Sequence, residues 1–422
     1  MHIIVFEDED VSYLYPVTTG KPAFAVSMGS LRLIDLVKQL DGELELIVRP
    51  HLKELVREEY PEIWSPEKGP RKGPYLLINA RTVPDAGILD IWRNMIRVGS
   101  EGVLYWGNTG TQVVAAFLGE RTLFPSQEIG SGQLTGLLRD LSLPQMKKQA
   151  SALLLDNVCD VIRYNMEIID SNLDYRLATN GYREIRDGVF IPKECDVEPE
   201  IGEYFVHDTK SGPILLESGV TIGPFCYIRG PVHIGPKSKV IERTTLKDMV
   251  SIGRVCKIGG EVEASTIEQY TNKQHHGFLG HSYLGSWVNL GAGTCNSDLK
   301  NSYGEVCMET SIGKKQSGMQ FLGCIVGDYS KTAINTSIFT GKTIGVCSMN
   351  YGFVTTAVPS FVNYARSFGQ VTELAVETMI YAQARMFQRR NVQARSCDVQ
   401  LIKDMYELTQ HERQLASEPL SL

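Results

Sequence analysis

The sequence predicts an α/β domain followed by an all-β solenoid and a helical tail. Three observations carry this. From Leu216 to Gly259 an aliphatic residue stands at every sixth position: Leu216, Ile222, Ile228, Ile234, Val240, Leu246, Ile252 and Ile258. Neither an α-helix nor a lone strand repeats at six. A short strand and a sharp corner do, with each aliphatic side chain stacked inward on its equivalent one coil away, so the segment reads as a parallel β-helix. Second, a glycine often follows the aliphatic residue, as in Ile222-Gly223, Ile234-Gly235, Ile252-Gly253 and Ile258-Gly259. The couple returns at Leu284-Gly285, Leu290-Gly291, Ile312-Gly313, Val326-Gly327 and Ile344-Gly345, and the six-step returns at Val326, Thr332, Ile338 and Ile344. Glycine suits a corner that needs backbone room and unusual φ. Third, the first part of the chain alternates short apolar runs with helical spacing, the pattern of a largely parallel sheet.

In order, Ile3–Phe6 is a buried-type strand, Ser30–Leu40 a helix, and Leu44–Val48 a strand. Tyr75–Asn79, Val103–Trp106 and Val113–Phe117 are further strands, with a helix at Ala86–Ile96. A helix over Asp156–Asn172 is apolar at Val158, Val161, Ile162, Met166 and Ile169. A polar connector from Ile191 to Gly212 leads into a solenoid from about Pro213 to Val346. The tail from Thr372 to about Glu412 is helical in pattern, with Ser396 as a helix cap. We therefore divide the chain into an α/β domain at 1–190, a β-helix domain at 191–370 and a helical segment at 371–422.

Composition narrows the function classes. The chain has 422 residues, 43% hydrophobic and 22% charged, with a net charge of −7. This gives no general case for nucleic acid or an anionic membrane as partner. No apolar run approaches the length of a membrane span, and the N-terminus lacks a signal-like core. Nine scattered cysteines without a CxxC pair read as reduced thiols, so a cytoplasmic location is expected.

The six-step breaks twice, between Ile258 and Leu284 and between Leu290 and Ile312, and extra residues there are expected to bulge out as loops. The first break reads Asn272-Lys273-Gln274-His275-His276-Gly277-Phe278-Leu279-Gly280-His281-Ser282-Tyr283-Leu284-Gly285. Asn289-Leu290-Gly291-Ala292-Gly293-Thr294-Cys295-Asn296 follows. With Ile222-Gly223-Pro224-Phe225 and Arg229 upstream, this resembles the acetyltransferase half of the bacterial GlmU-like family. That family acetylates glucosamine-1-phosphate and then makes UDP-N-acetylglucosamine. The resemblance covers about Gly212 to Val346 and implies a left-handed hexapeptide β-helix that assembles as a homotrimer.

By the same resemblance, His275 would be the general base that takes the proton from a sugar amine attacking acetyl-CoA; imidazole titrates near working pH. Asn289 would hold the sugar near its amine, and Asn296 would orient the base or the acetyl group. Ala292 and Gly293 would meet acetyl-CoA, and Arg229 would clamp the sugar phosphate. Lys273, His276 and Phe278 complete the expected substrate contacts. The plainer readings are a surface histidine, an ion-paired Arg229, asparagines stacked as an internal ladder and a solvated Lys273. Three departures stand out: Phe278 replaces a tyrosine, Glu263-Ala264-Ser265 replaces a lysine pair, and Ile334 replaces a serine.

The N-terminal part lacks the glycine-rich loop of the family's nucleotidyltransferase half. Glu7-Asp8-Glu9-Asp10, Tyr15-Pro16-Val17-Thr18-Thr19-Gly20-Lys21-Pro22, Gly29-Ser30-Leu31-Arg32 and Ile78-Asn79-Ala80-Arg81 resemble a divergent, Rossmann-like sugar nucleotidyltransferase half. This implies Lys21 and Arg32 on nucleotide phosphates, UTP or another NTP as substrate, and Mg²⁺ at Asp8. The plainer reading of the acidic run is a solvated strand end. Two other functions remain open at this point. One is a zinc lyase of the γ-carbonic-anhydrase type, using His276, His281 and His233. The other is a non-catalytic sugar-nucleotide binder. The basic cluster Arg385, Arg389, Arg390 and Arg395 reads most simply as a solvated helix face, and more sharply as a contact for an acidic neighbour or a nucleotide phosphate.

Overall fold

A computed structural model describes residues 1–63, 73–106, 112–120, 133–179, 181–310 and 313–416. Ile312, part of one expected aliphatic-glycine couple, lies outside them. Two compact units result. The first comprises Met1–Leu14, Lys21–Val26 and Leu31–Val158; the second comprises Tyr15–Gly20, Ser27–Ser30 and Cys159–Leu422.

The first unit is built on a five-stranded sheet of β1 (His2–Phe6), β2 (Glu43–Ile47), β3 (Tyr75–Asn79), β4 (Gly102–Trp106) and β5 (Gln112–Leu118), in the order β2-β1-β3-β5-β4. The sheet is mixed rather than largely parallel. β1 runs parallel to β2 and β3, whereas β5 is antiparallel to β3 and β4. The connection from β4 to β5 is too short for a crossover and so turns the chain back. All five residues of β3 are buried, as a strand covered on both faces requires. Helix α1 is confined to Leu33–Val37, because Leu31–Arg32 already forms a strand and Asp35 accepts the Arg32 backbone N–H. Helices α2 (Lys53–Glu59), α3 (Ile88–Val98) and α4 (Gln133–Asp140) complete the unit. α3 stops at Gly99, which takes the left-handed conformation at φ 65°.

The long C-terminal stretch of the second unit opens with helix α5 (Asp160–Thr179), placed in the α/β domain from sequence. Its Ile169 and Leu173 pack on Leu215, on the outside of a β-helix strand, and this contact makes it part of the solenoid unit.

The β-helix has three faces of parallel strands. The first runs Ile214–Leu216, Val232–Ile234, Val250–Ile252, Thr266–Ile267, Tyr283–Leu284, Cys324–Val326, Lys342–Ile344. The second begins Glu200–Ile201, Thr221–Ile222, Lys239–Val240, Lys257–Ile258, Asn272–Lys273, and the third Val206–Asp208, Tyr227–Arg229, Thr245–Lys247, Glu261–Glu263, Phe278–Gly280. One regular coil takes eighteen residues, which sets the six-step. The aliphatic column is sealed from water, and each such side chain contributes roughly 1.5–3 kcal/mol.

Corner geometry departs from expectation. The left-handed residue lies three places after the inward one and is usually not glycine: Phe225, Lys237, Arg243, Val255, Tyr270, Trp287, Tyr329, Asn335 and Cys347 all have φ between 55° and 65°. Bonds to the neighbouring coil offset the strain of order 1–2 kcal/mol at each, as when Val255 N donates to Pro236 O and Tyr270 N to Arg254 O. The glycine after the inward residue serves close approach instead. A Cβ on Gly235 would lie 2.6 Å from Gly253 C, and one on Gly345 2.4 Å from Ser360 N.

The two phase breaks have opposite causes. In the first the coils contract rather than bulge: Ile252 stacks on Ile267 and Leu246 on Val262, fifteen and sixteen residues on. In the second, Asn296 stacks directly on Ile338, forty-two residues on, so a long insertion leaves the column between 297 and 323. It contains the hairpin Cys307–Thr310 and Gly313–Gln316, which puts Gly313 outside the coil. The connector Ile191–Gly212 is itself a coil, since Val189–Pro192, Glu200–Ile201 and Val206–Asp208 all pair with the next turn. Its coils are longer than eighteen residues, which hides the period.

Three helices close the unit: α6 (Val376–Arg389), α7 (Ser396–Leu408) and α8 (Gln410–Ala416). Phe387 of α6 packs on Trp287, which stacks on Tyr270 at a corner, with ring centroids at 4.6 and 4.3 Å. The cap of α7 is not Ser396. Asp398 accepts from the Arg395 backbone N–H at 2.9 Å and from its guanidinium.

Candidate active site

The corner between the second and third faces gathers the motif residues. His275 and His276 sit at the turn after Asn272–Lys273. One coil on, Ala292 and Gly293 follow Leu290, and one more coil on, Ile334 and Asn335 follow Thr332. The backbones interlock: Gly293 N donates to His276 O at 3.0 Å, and Asn335 N to Ala292 O at 2.7 Å. Two glycines are required here. Gly277 has φ 130° and a Cβ on it would meet Thr294 O at 2.1 Å; Gly293 has φ 74°. His275 and His276 are exposed, and among the described residues neither imidazole makes a hydrogen bond. The corner thus presents two unclaimed imidazoles beside backbone from the next coil.

Lys273 is neither solvated nor placed to touch phosphate. It occupies the inward slot that Ile258 fills one coil earlier. It is 2% exposed, and its Nζ donates to Gly259 O and His275 O, each at 2.7 Å. Burial pulls its ammonium down to about 8. Asn296 is likewise turned inward. Its Nδ2 donates to Gly280 O at 3.0 Å and its Oδ1 accepts from Gly280 N at 2.9 Å. Its amide is spent on the coil, as in the internal-ladder reading. Asn289 lies on the outside of the second face, where its Oδ1 accepts from Asn272 Nδ2 at 3.3 Å. Phe278 begins the next third-face strand, and its ring folds against Gly280. Arg229 is ion-paired with Asp248 through Nε at 2.7 Å and through Nη2, so its fork is already engaged.

One arrangement escaped the sequence reading. His281 Nδ1 bonds Asp298 Oδ2 at 2.9 Å, and its ring stacks on Phe321 at 5.3 Å. A carboxylate on Nδ1 leaves Nε2 as the basic nitrogen. The only hint in sequence is an aspartate shortly after the Cys295-Asn296 pair. His233 is buried under α5, where its Nε2 bonds Glu217 at 3.2 Å beside Tyr182 and Arg176. Burial lowers its pKa and keeps the ring neutral. His276, His281 and His233 are therefore held in different settings, and no group of three metal-binding side chains comes together among the described residues.

In the first unit the first half of the acidic run is buried, while Glu9 is exposed. Glu7 is fully buried and accepts from Arg49 Nε at 2.9 Å, Arg49 N at 2.9 Å and Ala23 N at 3.0 Å. Asp8 accepts two bonds of 2.7 Å from the fully buried Arg81 and a third of 2.7 Å from Asn79. Both oxygens are therefore claimed, and Mg²⁺ at Asp8 does not fit this arrangement. Asp10, beside Arg81, is raised first by burial and then by its acidic neighbours. Lys21 is buried, and Arg32 is paired with Asp35 at 2.7 Å.

Comparison with known proteins matches the N-terminal part of the chain to a family and stretches of the chain to curated relatives. Residues 3–182 match the family described as sugar nucleotidyl transferase. The bifunctional protein GlmU of Wolbachia pipientis is 32% identical over 145 residues, covering 32% of this chain and 29% of that protein. A bifunctional sugar-1-phosphate nucleotidylyltransferase/acetyltransferase of Sulfurisphaera tokodaii is 31% identical over 136 residues, covering 32% and 33%. GlmU of Thermotoga petrophila is 28% identical over 230 residues, covering 53% and 43%. The chain thus spans less than half the length of each of these relatives. No helix among the described residues is long and apolar enough to cross a membrane.

Proposed function

We propose that this chain, a divergent GlmU-like protein, transfers an acetyl group from acetyl-CoA to the amine of a sugar phosphate resembling glucosamine-1-phosphate. The observation that carries this reading is the pair of exposed, unbonded imidazoles at a corner shared with Ala292 and Gly293. His275 would accept the amine proton as the nitrogen attacks the thioester carbonyl; the C–S bond then breaks and coenzyme A leaves as the thiol. Backbone N–H groups of the Ala292–Gly293 turn would steady the oxyanion. Asn289 would hold the sugar, and His276 and Phe278 would line its path. Arg229 would reach the phosphate only by sharing its fork with Asp248. Asn296 and Lys273 would act through the backbone they hold.

A second base is favoured by one observation. His281 alone among the candidate-site histidines has a carboxylate fixing its tautomer. Coupling to nucleotidyl transfer from UTP or another NTP in the N-terminal half, giving UDP-N-acetylglucosamine or a related sugar nucleotide, belongs to the same proposal, as do a homotrimer and a cytoplasmic setting. The test is a substrate screen read as free thiol release, with acetyl-CoA and glucosamine-1-phosphate, run beside UTP with N-acetylglucosamine-1-phosphate. His275→Ala and His281→Ala are compared in the acetyl assay. Loss only in His275→Ala supports the first base and loss only in His281→Ala the second. Full activity in both variants sinks the imidazole mechanism.

A further inference from the structure

On the outside of the second face, Lys239, Lys257 and Asn272 stand in register on successive coils. The end of α6 meets them there: the Arg390 guanidinium donates to Asn272 Oδ1, and Arg389 is the residue before it. Lys257 is lowered first by burial, then by the charges of Arg390, Arg389 and Lys239; Arg390 is lowered by burial and then by Arg389. Among the described residues none of these four cations makes an ion pair with a carboxylate. Arg385 and Arg389 are exposed, as on a solvated helix face, whereas Arg390 is partly buried against the strand row. Arg395, from the same basic cluster, is paired with Asp398. Gathering four like charges without a counterion costs stability unless something is there to neutralise them.

We propose that Lys239, Lys257, Arg389 and Arg390 form a binding site for an anion carrying two linked phosphate groups. Neighbouring strands lie about 4.8 Å apart, so Lys239 to Asn272 spans about 10 Å, too long for one phosphate and suited to two. The guanidiniums take phosphate oxygens as forks and the lysines as point charges. The Asn272 carbonyl oxygen turns Arg390 toward the lysine row. The diphosphate could be free pyrophosphate or part of a nucleotide. The site uses none of the residues assigned to acetyl transfer and stands or falls separately from that reading.

The test is calorimetry on the full chain at low salt with orthophosphate, pyrophosphate and UDP. Pyrophosphate should bind at least about tenfold tighter than orthophosphate, and added salt should weaken it. Lys257→Gln with Arg389→Gln should reduce pyrophosphate affinity at least about tenfold while leaving the thermal midpoint equal or higher, since it relieves repulsion. UDP binding tighter than pyrophosphate in the parent chain, and lost in the double variant, assigns the site to a nucleotide. UDP binding more weakly than pyrophosphate assigns it to the free anion. Pyrophosphate affinity no better than orthophosphate, or unchanged in the double variant, overturns the proposal.

Discussion

The two units handle charge in opposite ways. In the α/β unit, Glu7 and Asp8 leave β1 and turn inward, and Arg49 and Arg81 follow them into the core. These buried charges are answered within the same unit, Glu7 by Arg49 and Asp8 by Arg81, in geometry that leaves little for a ligand. In the β-helix the interior is mostly aliphatic, with Lys273 and Asn296 turned inward as exceptions, and His275 and His276 remain unclaimed at a corner. A solenoid gets its stability from a column that runs past any one corner, so a corner can hold uncommitted groups at little cost. The α/β unit uses its buried carboxylates and guanidiniums to hold itself together.

That contrast can be broken most sharply at His275. Its replacement by alanine should lower acetyl transfer by about 10²–10⁴-fold with an unchanged thermal midpoint, because the corner does not depend on the ring. A large loss of stability instead would mean the imidazole is structural. In the α/β unit the order reverses. Arg81→Met strands the buried Asp8 carboxylate and should cost about 3–5 kcal/mol, read as a shift of the urea midpoint. Lys273 sharpens the comparison from within the column. Its folded value of about 8 lies below the 10.5 of a free lysine, so between these values the unfolded chain binds more protons. Stability relative to Lys273→Met should therefore rise with pH across that window, by at most about 3 kcal/mol, and stay level below pH 8. Denaturation of both chains at pH 7.5 and pH 10 decides this; a flat difference would mean the lysine is hydrated. Smallest is Asp398→Ala, which removes the α7 cap and should cost about 1 kcal/mol, seen as earlier loss of helical signal on heating.

The column from Leu216 to Ile258 was legible because its coils are uniform and every inward slot is aliphatic. Legibility failed where either condition failed. Lys273 fills an inward slot where the coils contract and Asn296 one where the insertion begins, so the aliphatic period is lost at both breaks and Lys273 reads as a surface residue. The first coils were lost because their lengths exceed eighteen residues. In the candidate site, it was the resemblance of the motifs to the GlmU-like family that pointed to His275 with Ala292 and Gly293. His281 and Asp298 meet only because one coil stacks on the next, and nothing local announces that. The mixed sheet was missed because strand direction depends on the length of a connection, not on the composition of the strands.

The insertion between Asn296 and Cys324 has a practical consequence. It leaves and re-enters the spiral in step, so Asn296 meets Ile338 and Leu284 meets Val326 as if nothing intervened. An excursion of that kind is a cassette. Because Glu309 pairs with Lys342 and Asp298 holds His281, it is the part away from these contacts that offers a place to graft a foreign sequence without re-registering the turns on either side.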